Sequence, residues 1–306
     1  MYSVNEWDPL KSVVIGSATN AHWRVNCPDF RKLEQTTKWK QTPVPSGPVD
    51  QQVIDETNED LDYFAYELEQ LGIEVLRPTD MDFASFDGMY NYCPRDRLLV
   101  VGDTVIDAPM AYACRDKEIE ALSCVTDRAS QVIPCLEPGV RFDAANICRL
   151  GQDLLYLVSE SGNLAGARWL QDVLGKEHRV HPVNFYAGVH IDSTISAVRE
   201  GLVVLNGARV NEENCPKVFR DWEKIWVYDC VPQNFHHYPY ASKWIGLNML
   251  SISPDTVIVD AAQTHIHREL EKRGINVVPL TLRHSRTLGG GFHCVTLDTW
   301  RENTNG

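Results

Sequence analysis

The sequence lacks the features that mark several common classes of protein. It has no CxxC pair among nine scattered cysteines, so neither a zinc ribbon nor a disulfide framework is indicated. Neither a GxGxxG fingerprint nor a GxxxxGK phosphate loop is present, which argues against a dehydrogenase or a kinase. No apolar run approaches the roughly 18 residues that span a bilayer, and MYSVNEWDPLKS does not resemble a signal peptide. We therefore expect a cytoplasmic protein without a membrane partner.

Positive charge is also scarce. The chain has 29 Lys and Arg against 42 Asp and Glu, a net charge of −13. This balance disfavours nucleic acid and anionic membranes as partners, and it would help to attract a cationic small molecule. With 306 residues, 43% of them hydrophobic, the chain can bury a substantial core as one large domain or two ordinary ones.

A local design recurs along the chain, in which a helical pattern ends near a glycine and an extended run follows. In the first copy, Leu61, Phe64, Leu68 and Leu71 recur at helical spacing. Gly72 stands where a left-handed C-terminal cap is expected. The copies are LEQLGIEVLRP (68–78), LQDVLGKEHRVHP (170–182) and LEKRGINVVPL (270–280).

These recurrences share a common spacing. The glycines of the three copies are 103 and 99 residues apart, and DTVIDAP (103–109) recurs as DTVIVDAA (255–262) after 152 residues. A step of about 50 residues accounts for all three intervals and leaves room for five or six units. We therefore expect a ring of α/β modules. An ordinary open α/β sheet is the alternative, since helix–glycine–strand joints occur in any α/β protein.

Strand-like runs lie between the helical patterns. Residues 27–50 are rich in proline and polar residues and are expected to form a surface loop. No low-complexity linker marks a domain boundary. The expected strands are LKSVVIG (10–16), RLLVVGDTVID (97–107), DLLYLVS (153–159), GLVVLNG (201–207) and VIVDA (257–261).

Functional side chains concentrate in stretches at or near the ends of the strand-like runs, where a ring would bring them to one mouth. A cysteine thiolate is a strong nucleophile, and a histidine held by a carboxylate can serve as acid and base. Within HID, His190 and Asp192 would point to the same side of a strand. The stretches are YNYCPRD (90–96), FDAAN (142–146), VHIDS (189–193) and GGGFHC (289–294), which supply Asp96, Asp143, His190, Asp192 and Cys294.

The stretch GGGFHC contains three consecutive glycines before a histidine and a cysteine. Glycine loses more conformational entropy on folding than other residues, so such a run indicates a sharp bend or a close approach of the backbone. Cys294 at its end is either a reactive thiol or a small buried hydrophobe.

These motifs together resemble the arginine-dependent amidinotransferases. The resemblance extends from about residue 4 to residue 301 and is strongest to the branch that acts on inosamine phosphates, with relatives in cyanobacterial toxin pathways and in creatine synthesis. It implies a single domain over residues 1–306, folded as a five-module α/β propeller, and a homodimer. The stretches that carry it are NEWDPLKSVVIG, YNYCPRD, FDAAN, VHIDS, SKWIGLN and SRTLGGGFHCVTLD.

The resemblance also implies roles for individual residues. Cys294 matches the family nucleophile, His190 the general acid and base, and Asp143 the carboxylate partner of that histidine. Two carboxylates match the pair that binds the substrate guanidinium, one arginine matches the residue that grips its α-carboxylate, and two further residues match lesser contacts. These substrate-binding residues are, in that order, Asp96 and Asp192, Arg209, and Tyr90 and Ser242.

The implied reaction moves the amidino group of L-arginine onto Cys294, releases L-ornithine and passes the group to an acceptor amine. Arginine and the amine are therefore the expected partners, and neither a metal nor an organic cofactor is implied. The same residues would serve a hydrolase that converts arginine to citrulline, as in the related deiminases. A non-catalytic binding protein of the same fold is a third reading, and the complete set of Cys, His and carboxylates argues against it.

Departures from the family pattern bear on the acceptor. Asn146 and Ala241 stand where glycine-using relatives have Asp and Ser, and YAGVHID lacks the Asn and Met that precede HID in those enzymes, which argues against glycine. The segment between residues 122 and 142 is shorter than in the aminoglycoside branch, which argues against a bulky phosphorylated acceptor and favours a smaller or more solvated one.

Other patterns do not indicate a metal. In THIHREL, His265 and His267 are two residues apart, whereas a zinc-binding helix places its histidines four apart. The adjacent His236 and His237 are likewise not assigned to a metal site. DTVIDAP is expected to form a strand and a turn, because a calcium loop needs oxygen ligands through twelve residues.

Overall fold

Strands in groups of three dominate the computed structural model, which describes residues 1–24, 26–31, 42–43 and 45–303. The strands are β1 (Leu10–Ile15), β2 (His22–Trp23), β3 (Gly47–Pro48), β4 (Glu74–Leu76), β5 (Leu98–Val101), β6 (Thr104–Asp107), β7 (Val132–Pro134), β8 (Ile147–Leu150), β9 (Asp153–Leu157), β10 (Arg179–Val183), β11 (Ile195–Arg199), β12 (Leu202–Asn206), β13 (Glu223–Val227), β14 (Leu250–Ser253), β15 (Thr256–Asp260), β16 (Asn276–Leu280) and β17 (Thr296–Arg301). The α-helices within the described ranges include α1 (Gln51–Gln70), α2 (Ser123–Thr126), α3 (Leu164–Leu174), α4 (Thr264–Glu271) and α5 (Ser285–Leu288).

Five three-stranded sheets repeat one topology. In each, the central strand pairs antiparallel with a first strand and parallel with a third. A parallel pair needs a crossover, and α1, α2, α3 and α4 each lie in one of these connections. The sheets, written first–central–third, are β17–β1–β4, β5–β6–β7, β8–β9–β10, β11–β12–β13 and β14–β15–β16.

The chain closes into a ring through its two ends. The last strand, β17, is the first strand of the module that contains β1, with a register from Leu10 opposite Arg301 to Ile15 opposite Thr296. First strands of neighbouring modules contact one another, as β17 does with β5, β8 with β11, and β11 with β14. The expected five-module α/β ring is therefore confirmed, and the open sheet is excluded.

The sequence explains the elements locally. The central strand β12, LVVLN, is buried along its whole length, as its continuous apolar run predicts. In α1 the buried positions recur at helical spacing, Asp50 caps the N-terminus by accepting from Gln52 N at 2.9 Å, and Gly72 follows with φ +76°. Leu71, expected on the apolar stripe, lies instead at the helix end and is exposed.

Two strand and loop predictions need correction. Residues 97–107 form two antiparallel strands, β5 and β6, because Gly102 at φ +60° turns the chain back on itself. Within 27–50 the described residues Phe30 and Val49 are buried, so the surface-loop prediction is wrong for them. The part of that prediction that concerns residues 32–41 and 44 lies outside the described residues.

A buried ionic cluster lies where the N-terminal segment meets β17 and β8. Asp298 accepts hydrogen bonds from Ser3, Arg95, Arg149 and Arg301. Glu6 shares Arg149 with Asp298, through Arg149 Nη2 at 2.8 and 2.6 Å respectively. The three arginines and two carboxylates of this cluster are all buried, and each of them has at least one oppositely charged partner inside the protein.

No helix among the described residues is long and apolar enough to span a bilayer.

Replacement of Arg149 by Met should destabilise the protein strongly. It would leave Glu6 and Asp298 buried with one cation fewer, and breaking a buried ion pair in this way costs about 3–5 kcal/mol. The free energy of unfolding in urea would measure the loss. Arg128→Met, which removes an exposed partner of Glu74, is the control and should change stability little. Equal midpoints for the two variants would contradict the role given to the cluster.

Candidate active site

In each module, the segment before the first strand carries polar or reactive side chains. Segments 90–96, 142–146, 189–193, 242–248 and 289–294 lie directly before or within three residues of β5, β8, β11, β14 and β17. Because the first strands of neighbouring modules meet inside the ring, these segments converge. The predicted stretches thus lie at the N-terminal ends of strands, and a fifth, SKWIGLN, joins them.

The three glycines bring Cys294 into the site by a turn and two close approaches. Gly289 ends α5 in the left-handed region at φ +86°. A Cβ on Gly290 would lie 2.6 Å from Cys93 Sγ, and one on Gly291 would lie 2.7 Å from Asn248 Cβ. The expected bend and close approach are both confirmed, and Cys294 itself is buried.

Asn248 holds the segment that carries the thiol. Its Oδ1 accepts from the backbone N of His293 and of Cys294, both at 2.9 Å. Its Nδ2 lies 3.1 Å from Cys294 Sγ, and the thiol lies 3.1 Å from Asp192 Oδ2. The stretch SKWIGLN belongs to the family resemblance, but no role was predicted for Asn248. Asn248 stands before β14 as Cys294 stands before β17, and this equivalence is the signal that could have identified Asn248 as a site residue.

His190 lies between two carboxylates. Its Nε2 is 2.9 Å from Asp143 Oδ2, and its Nδ1 is 3.6 Å from Asp96 Oδ1. Asp143 is oriented in turn by Ala111 N, which donates to Oδ1 at 2.8 Å. One potential ligand atom each of Asp96, His190 and Cys294 lies within 4.8 Å of the others. The structure therefore brings all five predicted central residues together.

The predicted strand at HID is wrong, although both side chains reach the site. His190 has φ +54°, which no strand residue adopts, and Ile191–Thr194 form a turn. Ile191 N donates to Ala145 O at 3.0 Å, and Thr194 N donates to Ile191 O at 2.8 Å. A turn directs His190 toward Asp143 and Asp192 toward Cys294, which a flat strand would not do.

The two carboxylates expected to bind a guanidinium have different partners. Asp96 Oδ2 accepts from Arg115 Nη1 at 2.7 Å, whereas its buried Oδ1 has no hydrogen-bond partner within the described chain. Asp192 Oδ2 lies 3.0 Å from His293 Nδ1. Each carboxylate is thus oriented by a neighbour that sequence analysis did not assign, Arg115 or His293, and a buried acceptor at Asp96 remains available to a donor.

Burial and charge shift the pKa values of the site. Burial raises the pKa of Asp96, and Arg115 opposes this effect only in part. Burial also opposes the charged form of His190, yet the Asp96 carboxylate and the hydrogen bond to Asp143 raise its pKa well above the ordinary value. Burial disfavours the Asp192 carboxylate as well, but the hydrogen bond and charge of His293 bring its pKa to about 2. The site therefore combines an anionic Asp192 with a readily protonated histidine.

The thiol is held in its protonated form in the free protein. A hydrogen bond with Cys93, burial and the charge of Asp192 together raise the pKa of Cys294 well above the ordinary thiol value, and His190 opposes them. Among the neighbouring charges, Asp192 raises the pKa of Cys294 most, and a cation placed between Asp96 and Asp192 would offset that charge. The arrangement is therefore suited to a nucleophile that becomes ionised when a cationic ligand arrives.

The remaining predicted substrate contacts lie around this centre. Arg209 stacks 3.7 Å from the centroid of the Tyr186 ring, and its Nη1 donates to Ser193 Oγ at 2.9 Å, next to Asp192. Tyr90 is buried, and its hydroxyl donates to Leu288 O at 2.9 Å. Ser242 directly precedes the 3₁₀ helix Lys243–Leu247 that leads to Asn248. The roles given to these residues stay predictions.

Groups of potential metal ligands occur at two places among the described residues. One is Asp96, His190 and Cys294; the other is Asp50, His236 and His237 at the surface. On α4, His265 and His267 lie near separate carbonyl oxygens, at 3.0 and 2.9 Å, and so do not form a pair. DTVIDAP begins at a turn, at Asp103, and continues as β6, so the expected strand and turn are both present, with the turn first.

The fold shows the structural class to which the protein belongs. The chain superposes on a dimethylarginine dimethylaminohydrolase of Pseudomonas aeruginosa with a TM-score of 0.64, covering 94% of this chain and 99% of that one. At 16% identity this likeness shows the fold alone. That fold is the five-module α/β propeller known as the pentein fold. No protein-family model matches the chain.

Proteins with similar sequences show the family to which the chain belongs. Inosamine-phosphate amidinotransferase 1 of Streptomyces glaucescens is 42% identical over 334 aligned positions, which cover 97% of this chain and 95% of the relative. The solved inosamine-phosphate amidinotransferase of Streptomyces griseus has a TM-score of 0.90 at 40% identity, with 99% and 97% coverage. An amidinotransferase of saxitoxin biosynthesis from Microseira wollei has a TM-score of 0.85 at 27% identity, with 99% and 98% coverage. The chain belongs to the amidinotransferase family and is an amidinotransferase.

The alignment also bears on chain length. Its 334 positions exceed the 306 residues of this chain, so the Streptomyces glaucescens relative contains residues that are absent here. This agrees with the expectation of a shortened chain, while the location of the deletion between residues 122 and 142 stays a prediction. The described chain still completes the second module there with α2 and β7.

Asn248→Asp should raise the pKa of Cys294. The variant keeps an acceptor for the two backbone N–H groups but replaces the Nδ2 donor beside the thiol with a carboxylate oxygen. Alkylation of Cys294 by iodoacetamide, followed by peptide mass spectrometry across pH, would measure this. We expect the pKa of Cys294 to rise by about one unit or more, so its alkylation at neutral pH should become at least about tenfold slower.

Asn276→Asp, on an exposed position of β16, is the matched control and should leave the alkylation profile unchanged. An Asn248→Asp profile identical to that of the unmodified protein would show that Asn248 does not influence the thiol.

Proposed function

We propose that the protein transfers the amidino group of L-arginine to a small acceptor amine through a covalent amidino-cysteine on Cys294. The observation that carries this proposal is the position of the thiol. Asp192 lies 3.1 Å away on one side, and Asp96, whose buried Oδ1 has no hydrogen-bond partner among the described residues, lies in the same cluster. Two buried carboxylates around one nucleophile form a site for a planar cation whose carbon is to be attacked.

The first half of the reaction follows from the charges. The guanidinium enters between Asp96 and Asp192 and favours ionisation of Cys294, whose proton passes to His190. The thiolate then attacks the guanidinium carbon. The His190 imidazolium donates its proton to the side-chain nitrogen of the departing ornithine, and the bond from carbon to that nitrogen breaks. A cationic amidino group then remains on sulfur, and His190 is neutral. The hydrogen bond to Asp143 keeps the histidine oriented throughout.

The second half reuses the same residues. The neutral acceptor amine attacks the amidino carbon, His190 takes the proton that the new nitrogen loses, and the carbon–sulfur bond breaks to return the thiolate. Each step thus uses side chains of the active site and the two substrates. Ping-pong kinetics follow, because ornithine leaves before the amine reacts.

The remaining residues receive supporting roles. Arg209, next to the turn that carries Asp192, binds the α-carboxylate of arginine, and Tyr90 and Ser242 make lesser contacts at the wall of the site. A single domain over residues 1–306 and a homodimer stay predictions of the resemblance, and a cytoplasmic location stays a prediction of the sequence.

Relatives of this chain are named for different acceptors. Those from Streptomyces are named for inosamine phosphate, and a Xenopus laevis relative, 30% identical over 99% of this chain and 83% of its own, is named for glycine. The departures at Asn146 and Ala241 and the shortened chain argue for a different acceptor, a small amine.

Intact-protein mass spectrometry after mixing the protein with arginine alone tests the proposal. We expect an amidino adduct on Cys294 with ornithine released in equal amount and little citrulline. Cys294→Ala should abolish both products, because the proposed covalent bond forms at the Cys294 sulfur. Cys215→Ala, which removes a partly exposed thiol elsewhere, is the control and should retain both.

The other outcomes are also informative. Citrulline accumulating without acceptor would establish hydrolysis in place of transfer, since water would then be consuming the adduct. Absence of adduct, ornithine and citrulline would overturn the proposed function.

A further inference from the structure

Two histidines and a carboxylate converge at the surface, away from the residues that the reaction uses. His236 and His237 lie between β13 and β14, and Asp50 directly precedes α1. One potential ligand atom of each of these three residues lies within 4.8 Å of the others. Asp50 and His237 are exposed and His236 is partly exposed, so an ion in solution can reach them.

The contact between His236 and Asp50 has the spacing of two metal ligands. His236 Nε2 lies 3.4 Å from Asp50 Oδ2, yet this buried nitrogen makes no hydrogen bond to any described residue. Two ligands on a tetrahedral zinc ion, each bound at about 2.0–2.2 Å, are separated by about 3.3–3.5 Å. A zinc ion between the two atoms would therefore complete a contact that is poorly formed as a hydrogen bond.

His237 is placed to supply a third ligand. Adjacent side chains of an extended chain point to opposite sides, but His237 has φ +58° and its ring lies against that of His236. The two ring centroids are 4.0 Å apart, and the rings are inclined at 64°. Because His237 is exposed, rotation of its ring can bring a nitrogen to the distance that zinc needs.

Hydrogen bonds that a metal would leave intact position these ligands. Asp50 Oδ1 accepts from Gln52 N at 2.9 Å, so Oδ2 is the oxygen that faces His236. His236 N donates to Thr287 Oγ1 at 3.0 Å, and Tyr238 N donates to His236 O at 2.6 Å. A site whose backbone is already held loses less entropy when an ion binds.

The donor atoms select a transition-metal ion. Calcium and magnesium take oxygen ligands, whereas two imidazole nitrogens with one carboxylate oxygen suit zinc. Three protein ligands leave a fourth tetrahedral position for water. The net charge of −13 also favours a cation near the surface. The sequence did not indicate this site, because the third ligand comes from a distant segment.

We propose that Asp50, His236 and His237 form a zinc site that holds residues 236–242 against the start of α1. This site is separate from the reaction, and its test involves neither arginine nor an acceptor.

The segment that zinc would hold borders the active site. Tyr238 and Tyr240 each contact Trp23 edge to face, with ring centroids 5.7 Å apart. Tyr240 also packs against Gly289, at the start of the turn that leads to Cys294. The segment ends at Ser242, a predicted substrate contact. Zinc would therefore stabilise one wall of the active site without touching the nucleophile.

Calorimetric titration with zinc chloride tests the site. All titrations use the Cys294→Ala protein, because it lacks the thiol of the other group of potential ligands, Asp96, His190 and Cys294. We expect one zinc ion per chain. Added His237→Ala should weaken binding by at least the roughly 10–100-fold that loss of a ligand's own hydrogen-bond partner costs.

Two further variants sharpen the assignment. Asp50→Asn keeps an acceptor for Gln52 N, since Asn caps a helix as well as Asp does, but it removes the carboxylate. It should weaken zinc binding without loss of the helix. His265→Ala removes an exposed histidine that lies two residues from His267 on α4, and it should keep the full affinity.

Hydrogen exchange measures the effect on the segment. Zinc should slow exchange of the Tyr238 and Ala241 amides, which donate to His236 O and Arg286 O, and this protection should be absent in His237→Ala. Peptide mass spectrometry of residues 236–242 with and without zinc would detect it.

The alternative results are distinct. Absence of zinc binding would overturn the site. Equal affinity in His237→Ala, Asp50→Asn and His265→Ala would overturn it too, because the ion would then be adventitious. Binding that requires Asp50 and His237 but leaves exchange of residues 236–242 unchanged would support the zinc site and overturn its hold on the segment.

Discussion

The active site depends on the buried cluster around Asp298, because this cluster joins the segment that carries the nucleophile Cys294 to the segment that carries Asp96. Arg95 binds Asp298 and also donates from Nε to His293 O at 2.7 Å. Arg95 is the residue before Asp96, and His293 is the residue before Cys294. One arginine therefore ties together the two backbones that present Asp96 and Cys294. Glu6, 3.2 Å from His293, extends the tie to the N-terminal segment. The buried ion pairs of this cluster position the active-site residues, so the ligand is not needed to hold them in place.

The active site differs from this cluster in its hydrogen bonding. Asp298 accepts from several buried donors, whereas Asp96 Oδ1 has no hydrogen-bond partner among the described residues and lies 3.6 Å from His190 Nδ1. Buried polar groups without hydrogen bonds are destabilising, and they occur at functional sites, where a ligand completes them. The guanidinium of the donor would complete Asp96.

The five-module ring could be expected from the sequence because three of its modules repeat one local unit, a helix, a glycine and an extended strand. The spacing of Gly72, Gly175 and Gly274 indicated the ring, although it left an open sheet as the alternative. The convergence of the site was also predictable, since its segments occupy equivalent places before first strands. The turn at His190 was not, because its φ of +54° is imposed by contacts with Ala145 and with the carboxylates, and a short polar stretch does not show them. The contact of Asn248 with Cys294 spans 46 residues and likewise has no local signal.

The second module links the site of the donor guanidinium to the acid–base histidine. Its crossover contains the 3₁₀ helix Ala113–Leu122, which supplies Arg115, and Arg115 orients Asp96. The same crossover supplies Ala111 N, which donates to Asp143, the partner of His190. Cys294 and Asn248 precede strands of other modules and make their contact without this crossover. Because Ala111 and Arg115 both lie before residue 122, a change of length after residue 122 can leave the residues that position the nucleophile, the histidine and Asp96 in place.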